Sequence, residues 1–147
     1  MIFDVNVLVA VHRQDHPAFT DVRPWFDTLV HDERRFGVPD PVWASFVRIT
    51  TNRRIFEVPT PLTDAFTFLW AVRAQPHHVA VVPGPRHLGL FERLCHDGEA
   101  TGDLVADAYL AAIALELGCE LVSLDRDFAR FPGLQWRRPV LGPGDGR

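Results

Sequence analysis

The sequence predicts an α/β protein built on a parallel sheet. Helical stretches alternate with short, β-rich apolar runs along the chain, with no internal repeat and no interdomain linker. Two of the apolar runs, Met1-Ile2-Phe3-Asp4 and Leu121-Val122-Ser123-Leu124-Asp125, end on a carboxylate. Ligands of parallel sheets bind at the C-terminal edges of the strands, so acids delivered there by separate strands converge on one crevice.

The elements follow in order. A first strand at about residues 1–5 passes through Asn6-Val7-Leu8-Val9-Ala10 into a helix. A second helix from about His16 to Val30 carries Phe19, Val22, Trp25, Phe26 and Leu29 at helical spacing. Arg34-Arg35-Phe36-Gly37-Val38 reads as the second strand. Asp40-Pro41 then supplies an N-cap and a proline at the first helical position, for a helix through Val42, Phe46, Val47 and Ile49 that ends at Thr51-Asn52-Arg53-Arg54. Pro61 and Thr63-Asp64 open the next helix, with Phe66, Leu69, Trp70 and Arg73, and Pro76 stops it. Val79-Ala80-Val81-Val82-Pro83 reads as a buried strand, Arg86 to Cys95 as a helix, and Gly98 to Gly102 as a loop. An alanine-rich acidic helix precedes the Leu121 strand, and a short last strand lies near Leu134-Gln135-Trp136.

That acidic helix adds to the crevice. Asp103 and Asp107 stand one turn apart on a face that continues into Leu110, Ala114 and Leu117. Ala111, Ala112 and Ala114 allow a close approach to the sheet, which brings Asp107 toward Asp4 and Asp125. Carboxylates gathered in this way are costly to desolvate together unless a cation neutralises them.

A chain of 147 residues suits one domain with a full core. No apolar run approaches the roughly 20 residues of a membrane span, and no basic leader is present, so a soluble, cytoplasmic protein is expected. Cys95 and Cys119 read as buried thiols, not as a disulfide or zinc motif. The formal charge of −4 argues against a nucleic-acid partner only on average, since all 15 basic residues are arginines. They cluster at Arg34-Arg35, at Arg48 with Arg53-Arg54, and at Arg137-Arg138, and arginine grips phosphate with a planar fork of donors.

Four segments together resemble the PIN-domain ribonucleases, and among them the VapC toxins of bacterial toxin–antitoxin pairs. They are Ile2-Phe3-Asp4-Val5-Asn6-Val7-Leu8, Phe46-Val47-Arg48-Ile49-Thr50-Thr51-Asn52, Asp107-Ala108-Tyr109-Leu110-Ala111-Ala112, and the run from Leu124-Asp125-Arg126-Asp127-Phe128 to Leu134. The resemblance implies one domain over 1–140 and a three-layer α/β/α sandwich around a mostly parallel twisted sheet; the last residues, Gly142-Pro143-Gly144-Asp145-Gly146-Arg147, read as a flexible tail over 141–147. It also implies a Mg²⁺- or Mn²⁺-dependent endoribonuclease whose acids are Asp4, Asp107 and Asp125, with a VapB-type antitoxin, an RNA substrate and a homodimer. Mg²⁺ takes oxygen ligands and keeps several waters, which suits such a site.

One departure accompanies the resemblance. The glutamate such nucleases usually carry five residues before the arginine of the central helix falls here on Trp43. Asp40, Asp103 or Asp127 can take its place, and Asp103 is preferred because it shares the face of Asp107. The competing reading is a PIN-fold module that binds RNA or antitoxin with little or no catalysis. Each acid also has a bland reading: Asp107 as a helix-dipole acid, Asp125 as a cap on the turn at Arg126-Asp127, Asp127 as the cap of a short helix at Phe128. Asn6 either orients the pocket or caps the first helix, and Arg48 with Thr51-Asn52 either touches RNA or holds structure. Trp25, Phe26, Phe66 and Trp70 are expected in the core or a dimer interface. A phosphatase or phosphoreceiver built on Asp4 would want a lysine, and the chain has none.

Overall fold

A computed structural model describes residues 1–139; the predicted tail at 141–147 lies outside the described residues. Three short parallel strands, β1 (Ile2–Phe3), β2 (Leu121–Val122) and β3 (Trp136–Arg137), lie in the order β1-β2-β3. Ile2 pairs with Leu121 and Leu121 with Trp136. Among the described residues six α-helices accompany them: α1 (Val5–His12), α2 (Phe19–His31), α3 (Asp40–Thr50), α4 (Leu62–Arg73), α5 (His87–Asp97) and α6 (Asp103–Leu117). A 3₁₀ turn spans Arg126–Arg130. The helices fall into two packed sets, α1 with α2 and α3 and α3 with α4, and α5 with α6. Both residues of β1 and both of β2 are buried, as strands covered on both faces must be.

The predicted second strand at 34–38 contracts to single bridges, Gly37 to Ile2 and Phe36 to His78. They extend the sheet beyond β1: Phe3 N donates to Gly37 O (3.2 Å), Gly37 N to Met1 O (3.0 Å) and Val79 N to Phe36 O (2.8 Å). The predicted buried strand at 79–83 does not form. Val82 is 73% exposed, and the segment is an outer edge running into Pro83-Gly84-Pro85, where two prolines lack the N–H a ladder requires.

Helix ends show the local chemistry. Asp4, not Asn6, caps α1, its Oδ1 accepting Val5 N at 2.7 Å. Pro39 occupies the N-cap position of α3, which places Asp40 at the first helical residue. Gly118 ends α6 in the left-handed conformation at φ 62°, a position that favours glycine. Trp25 and Phe26 are core residues, with Phe3 edge-on to Trp25 at 5.7 Å and stacked on Phe36 at 5.4 Å. Phe66 and Trp70 lie outside the core, exposed on α4 with Leu62. Cys95 and Cys119 are free and partly buried. No helix among the described residues is long and apolar enough to cross a membrane.

Candidate active site

The acids meet where β1 and β2 end. Asp4 follows β1 directly and is 8% exposed, held by Asp4 N donating to Val122 O at 3.0 Å. Its Oδ2 accepts Ser123 Oγ at 2.7 Å. Burial raises the Asp4 pKa; the bonds from Ser123 and Val5 pull it down, and the Asp125 charge pushes it up again.

Ser123 is the residue that sequence reasoning passed over. It is fully buried, donates to Asp4, and accepts Asn6 Nδ2 and Asp125 N, each at 3.0 Å. Asn6, inside α1, also accepts Leu124 N on its Oδ1 at 3.0 Å. One hydroxyl and one amide thus tie the β1–α1 junction to the segment after β2. The available signal was a hydroxyl inside an apolar strand, two residues before an acid.

α6 supplies the next two acids. Asp107 is half-buried with its pKa pushed up to about 7, first by burial and then by the charges of Asp4, Asp125, Asp127 and Asp103. Asp103 opens the helix, exposed at the cavity rim. The predicted inward stripe holds at Leu110 and Ala114, both buried, and fails at Leu117, which is 49% exposed in the last turn of the helix.

Asp125 caps the 3₁₀ turn, its Oδ1 accepting Asp127 N at 2.8 Å, so the bland reading of this residue is met. Its charge nevertheless reaches both Asp4 and Asp107. Asp127 is therefore not the cap. It lies in the first turn, exposed, 3.6 Å from Arg130.

A cavity of about 760 Å³ opens beside these acids, and Asp4, Asp103, Asp107, Ser45, Arg48 and Tyr109 are among the residues lining it. α3 contributes Pro41, Val42, Ser45 and Arg48. Trp43 is on another face: it is 4% exposed and lines a separate groove with Phe66 and Trp70, so it is not at the acids. Asp40 lines that second groove too and lies 3.6 Å from Arg73, which removes it as a replacement acid. Of the arginine clusters, only Arg48 lines the acidic cavity, exposed and without an ion pair among the described residues. Thr51 bonds back to Val47 O and Asn52 accepts Arg54 N, which makes both part of the turn that closes α3.

Among the described residues no three acidic, histidine or cysteine side chains stand close enough to hold one ion together. Mg²⁺ needs only one or two carboxylates beside its waters and a substrate phosphate. All the donors here are carboxylate oxygens, and no basic side chain pairs with Asp4, Asp103, Asp107 or Asp125 among the described residues. The donor set fits a hard divalent cation.

The PIN domain family profile matches residues 1–134. Ribonuclease VapC25 of Mycobacterium tuberculosis is 59% identical over 140 residues, covering 95% of this chain and 99% of that protein. Ribonuclease VapC43 of the same organism is 45% identical over 139 residues, 95% of each chain. Among solved structures, VapBC2 from Rickettsia felis bound to a DNA fragment from its promoter is similar with a TM-score of 0.66 at 14% identity, over 94% of this chain and 98% of that one. VapBC-1 from nontypeable Haemophilus influenzae matches with the same score at 15% identity, over 95% of this chain and 98% of that one. These two likenesses speak for the fold alone.

Proposed function

The chain belongs to the PIN-domain family as a VapC-type ribonuclease, and we propose that it is the toxin of a type II toxin–antitoxin pair, hydrolysing RNA phosphodiester bonds at Asp4, Asp107 and Asp125. The observation that carries this reading is the crowding of carboxylates from β1, α6 and the segment after β2, with Asp107 driven up to about 7 and no basic partner among the described residues. Such a cluster is a poor structural device and a good cation site.

Asp4 and Asp107, with Asp125 and Asp103 beside them, would hold Mg²⁺ or Mn²⁺. When bound, such an ion polarises a phosphoryl oxygen and lowers the pKa of a water. The protein's own residues do the rest. Ser123 fixes the orientation of Asp4, and Asn6 fixes Ser123. Arg48, across the cavity on α3, presents its guanidinium fork to a substrate phosphate. The buried wall behind Asp4 keeps bulk water from that side.

A VapB-type antitoxin would silence the site, and the exposed apolar stripe Leu62, Phe66 and Trp70 on α4 offers area for it or for a homodimer. Trp25, expected in the core or a dimer interface, is in the core. Cleavage of cytoplasmic RNA would inhibit translation and growth.

The test is incubation of total RNA with the purified, antitoxin-free protein in Mg²⁺, in Mn²⁺ and in chelator, alongside Asp4→Asn. Discrete metal-dependent fragments, lost in the variant, are expected. A second reading, a binding module without catalysis, draws on α3 giving the cavity Ser45 and Arg48 but no acid. Intact RNA in every metal, with no metal binding by calorimetry, would establish that reading instead.

A further inference from the structure

The cavity that holds the acids also has an aromatic part, braced from behind. Phe91 of α5 and Tyr109 of α6 both line it, their rings edge to face at 5.5 Å and 75°. His87, 2% exposed, packs edge-on against Tyr109 at 4.4 Å and lies parallel to Phe91 at 6.2 Å. Its Nε2 donates to Tyr109 O at 3.0 Å, a bond that pins α5 to α6 two residues beyond Asp107. Phe91 and Tyr109 are only partly buried. Such a platform is braced and half open, and it shares its cavity with the acids and with Arg48, which has no ion pair among the described residues.

We infer that this wall is a base-stacking subsite: Phe91 and Tyr109 take an unpaired base of a single-stranded RNA segment, while Arg48 grips a neighbouring phosphate across the cavity. The inference rests on the ribonuclease reading and deepens it by naming the side chains that hold a base in the cavity of the acids. Unstacked bases bind on aromatic planes, and a base within a duplex is not available to them. Charge complementarity distinguishes this occupant from a purely apolar one. The acids suit a cation carrying phosphate, Arg48 suits a second phosphate, and the aromatic rings lie on the same cavity. An antitoxin segment seated here is the alternative occupant.

The experiment uses short single-stranded RNAs of mixed sequence and an abasic position walked along them, with binding read by fluorescence anisotropy. The protein is the full chain carrying Asp107→Asn, which silences cleavage, compared with the same chain carrying Phe91→Ala as well. At one position the abasic site is expected to weaken binding about tenfold, in line with the loss of one base–aromatic contact. Phe91→Ala should bind about that much more weakly and no longer sense the abasic site, while Phe91→Tyr should restore the difference. Duplexes of the same sequence should bind less well than single strands. An abasic penalty that is absent, or equal with and without the Phe91 ring, overturns the subsite and leaves the wall to a protein partner. Because the abasic comparison is made within one protein, a folding defect in Phe91→Ala does not blunt it. Cleavage by the wild type is scored separately. Cleavage without base dependence keeps the nuclease and rejects the subsite, and base-dependent binding without cleavage does the reverse.

Discussion

Ser123 and Asp4 share a buried hydrogen bond of 2.7 Å across the ends of two neighbouring strands, and the same serine oxygen accepts Asp125 N at 3.0 Å. One hydroxyl therefore sets the position of two acids that are 121 residues apart in sequence. Ser123→Ala leaves the buried Asp4 Oδ2 and the part-buried Asp125 N–H without this partner, an omission worth about 1–3 kcal/mol of stability. Loss of an orienting partner typically costs about 10–100-fold in metal affinity or activity. The expected signature is a higher metal concentration for half-maximal RNA cleavage, read by metal titration, with part of the rate recovered at high Mg²⁺.

The Asp107 carboxyl, pushed up to about 7 by burial and by four neighbouring acids, makes the metal-free protein sensitive to pH. In the unfolded chain the group ionises near 4, so between about 4 and 7 the folded state holds the extra proton. That stability is fully present below the unfolded pKa and is lost as pH rises through about 7. In chelator, the melting temperature of Asp107→Asn should therefore gain on the wild type as pH rises across this window. Saturating Mg²⁺ at pH 8 should close the gap by stabilising the wild type. A difference that stays constant with pH would show that Asp107 does not carry the shared charge.

The acids were legible because each closes an apolar run or opens an apolar helix, patterns visible in one dimension. Among the described residues, β1 and β2 were legible because burial on both faces leaves continuous apolar runs, and the helices because apolar residues recur at helical spacing. The segment at 79–83 was misleading because three valines look like a buried strand while the prolines beside them deny it a ladder. Spacing along α3 puts Trp43 where the resemblance wants a glutamate, but spacing alone does not show that this position lines the other groove and not the acidic cavity. Ser123 escaped because its partners, Asp4 and Asn6, come from the other end of the chain.

Gly37 is a close-approach glycine between β1 and the His77–Val79 edge. A Cβ there would lie 2.7 Å from Val79 O and clash with the Val81 side chain. Overpacking of this sort costs about 1–3 kcal/mol. Gly37→Ala should lower the denaturation midpoint by chemical unfolding while leaving cleavage per folded molecule near the wild-type level, because the shift falls on the side of β1 opposite β2.

Arg48 is exposed on the cavity wall without an ion pair among the described residues. A phosphate contact predicts that Arg48→Ala weakens single-stranded RNA binding uniformly across sequences and lowers the slope of log affinity against log salt by about 0.7. Arg48→Lys should keep the slope and lose affinity, since the fork is gone and the charge remains. A sequence-dependent loss in Arg48→Ala, seen in a panel of RNAs, would move this residue from phosphate to base recognition.

The two faces of α3 give opposite outcomes for the same new side chain. Ser45 lines the acidic cavity with Asp4, Asp103 and Asp107, so Ser45→Glu adds a carboxylate where the helix now offers none. Apparent metal affinity by calorimetry should rise severalfold, together with a drop in metal-free melting temperature from the added like charge. Trp43 is 4% exposed, lines the other groove, and has a buried Nε1 with no partner among the described residues. Trp43→Glu therefore buries an unpaired charge, at a cost on the order of several kcal/mol, and contributes nothing to metal binding. Trp43→Phe removes the unsatisfied donor and keeps most of the ring, so the melting temperature should stay close to that of the wild type. If Trp43→Glu, and not Ser45→Glu, tightened the metal, the face of α3 turned toward the acids would be the one carrying Trp43.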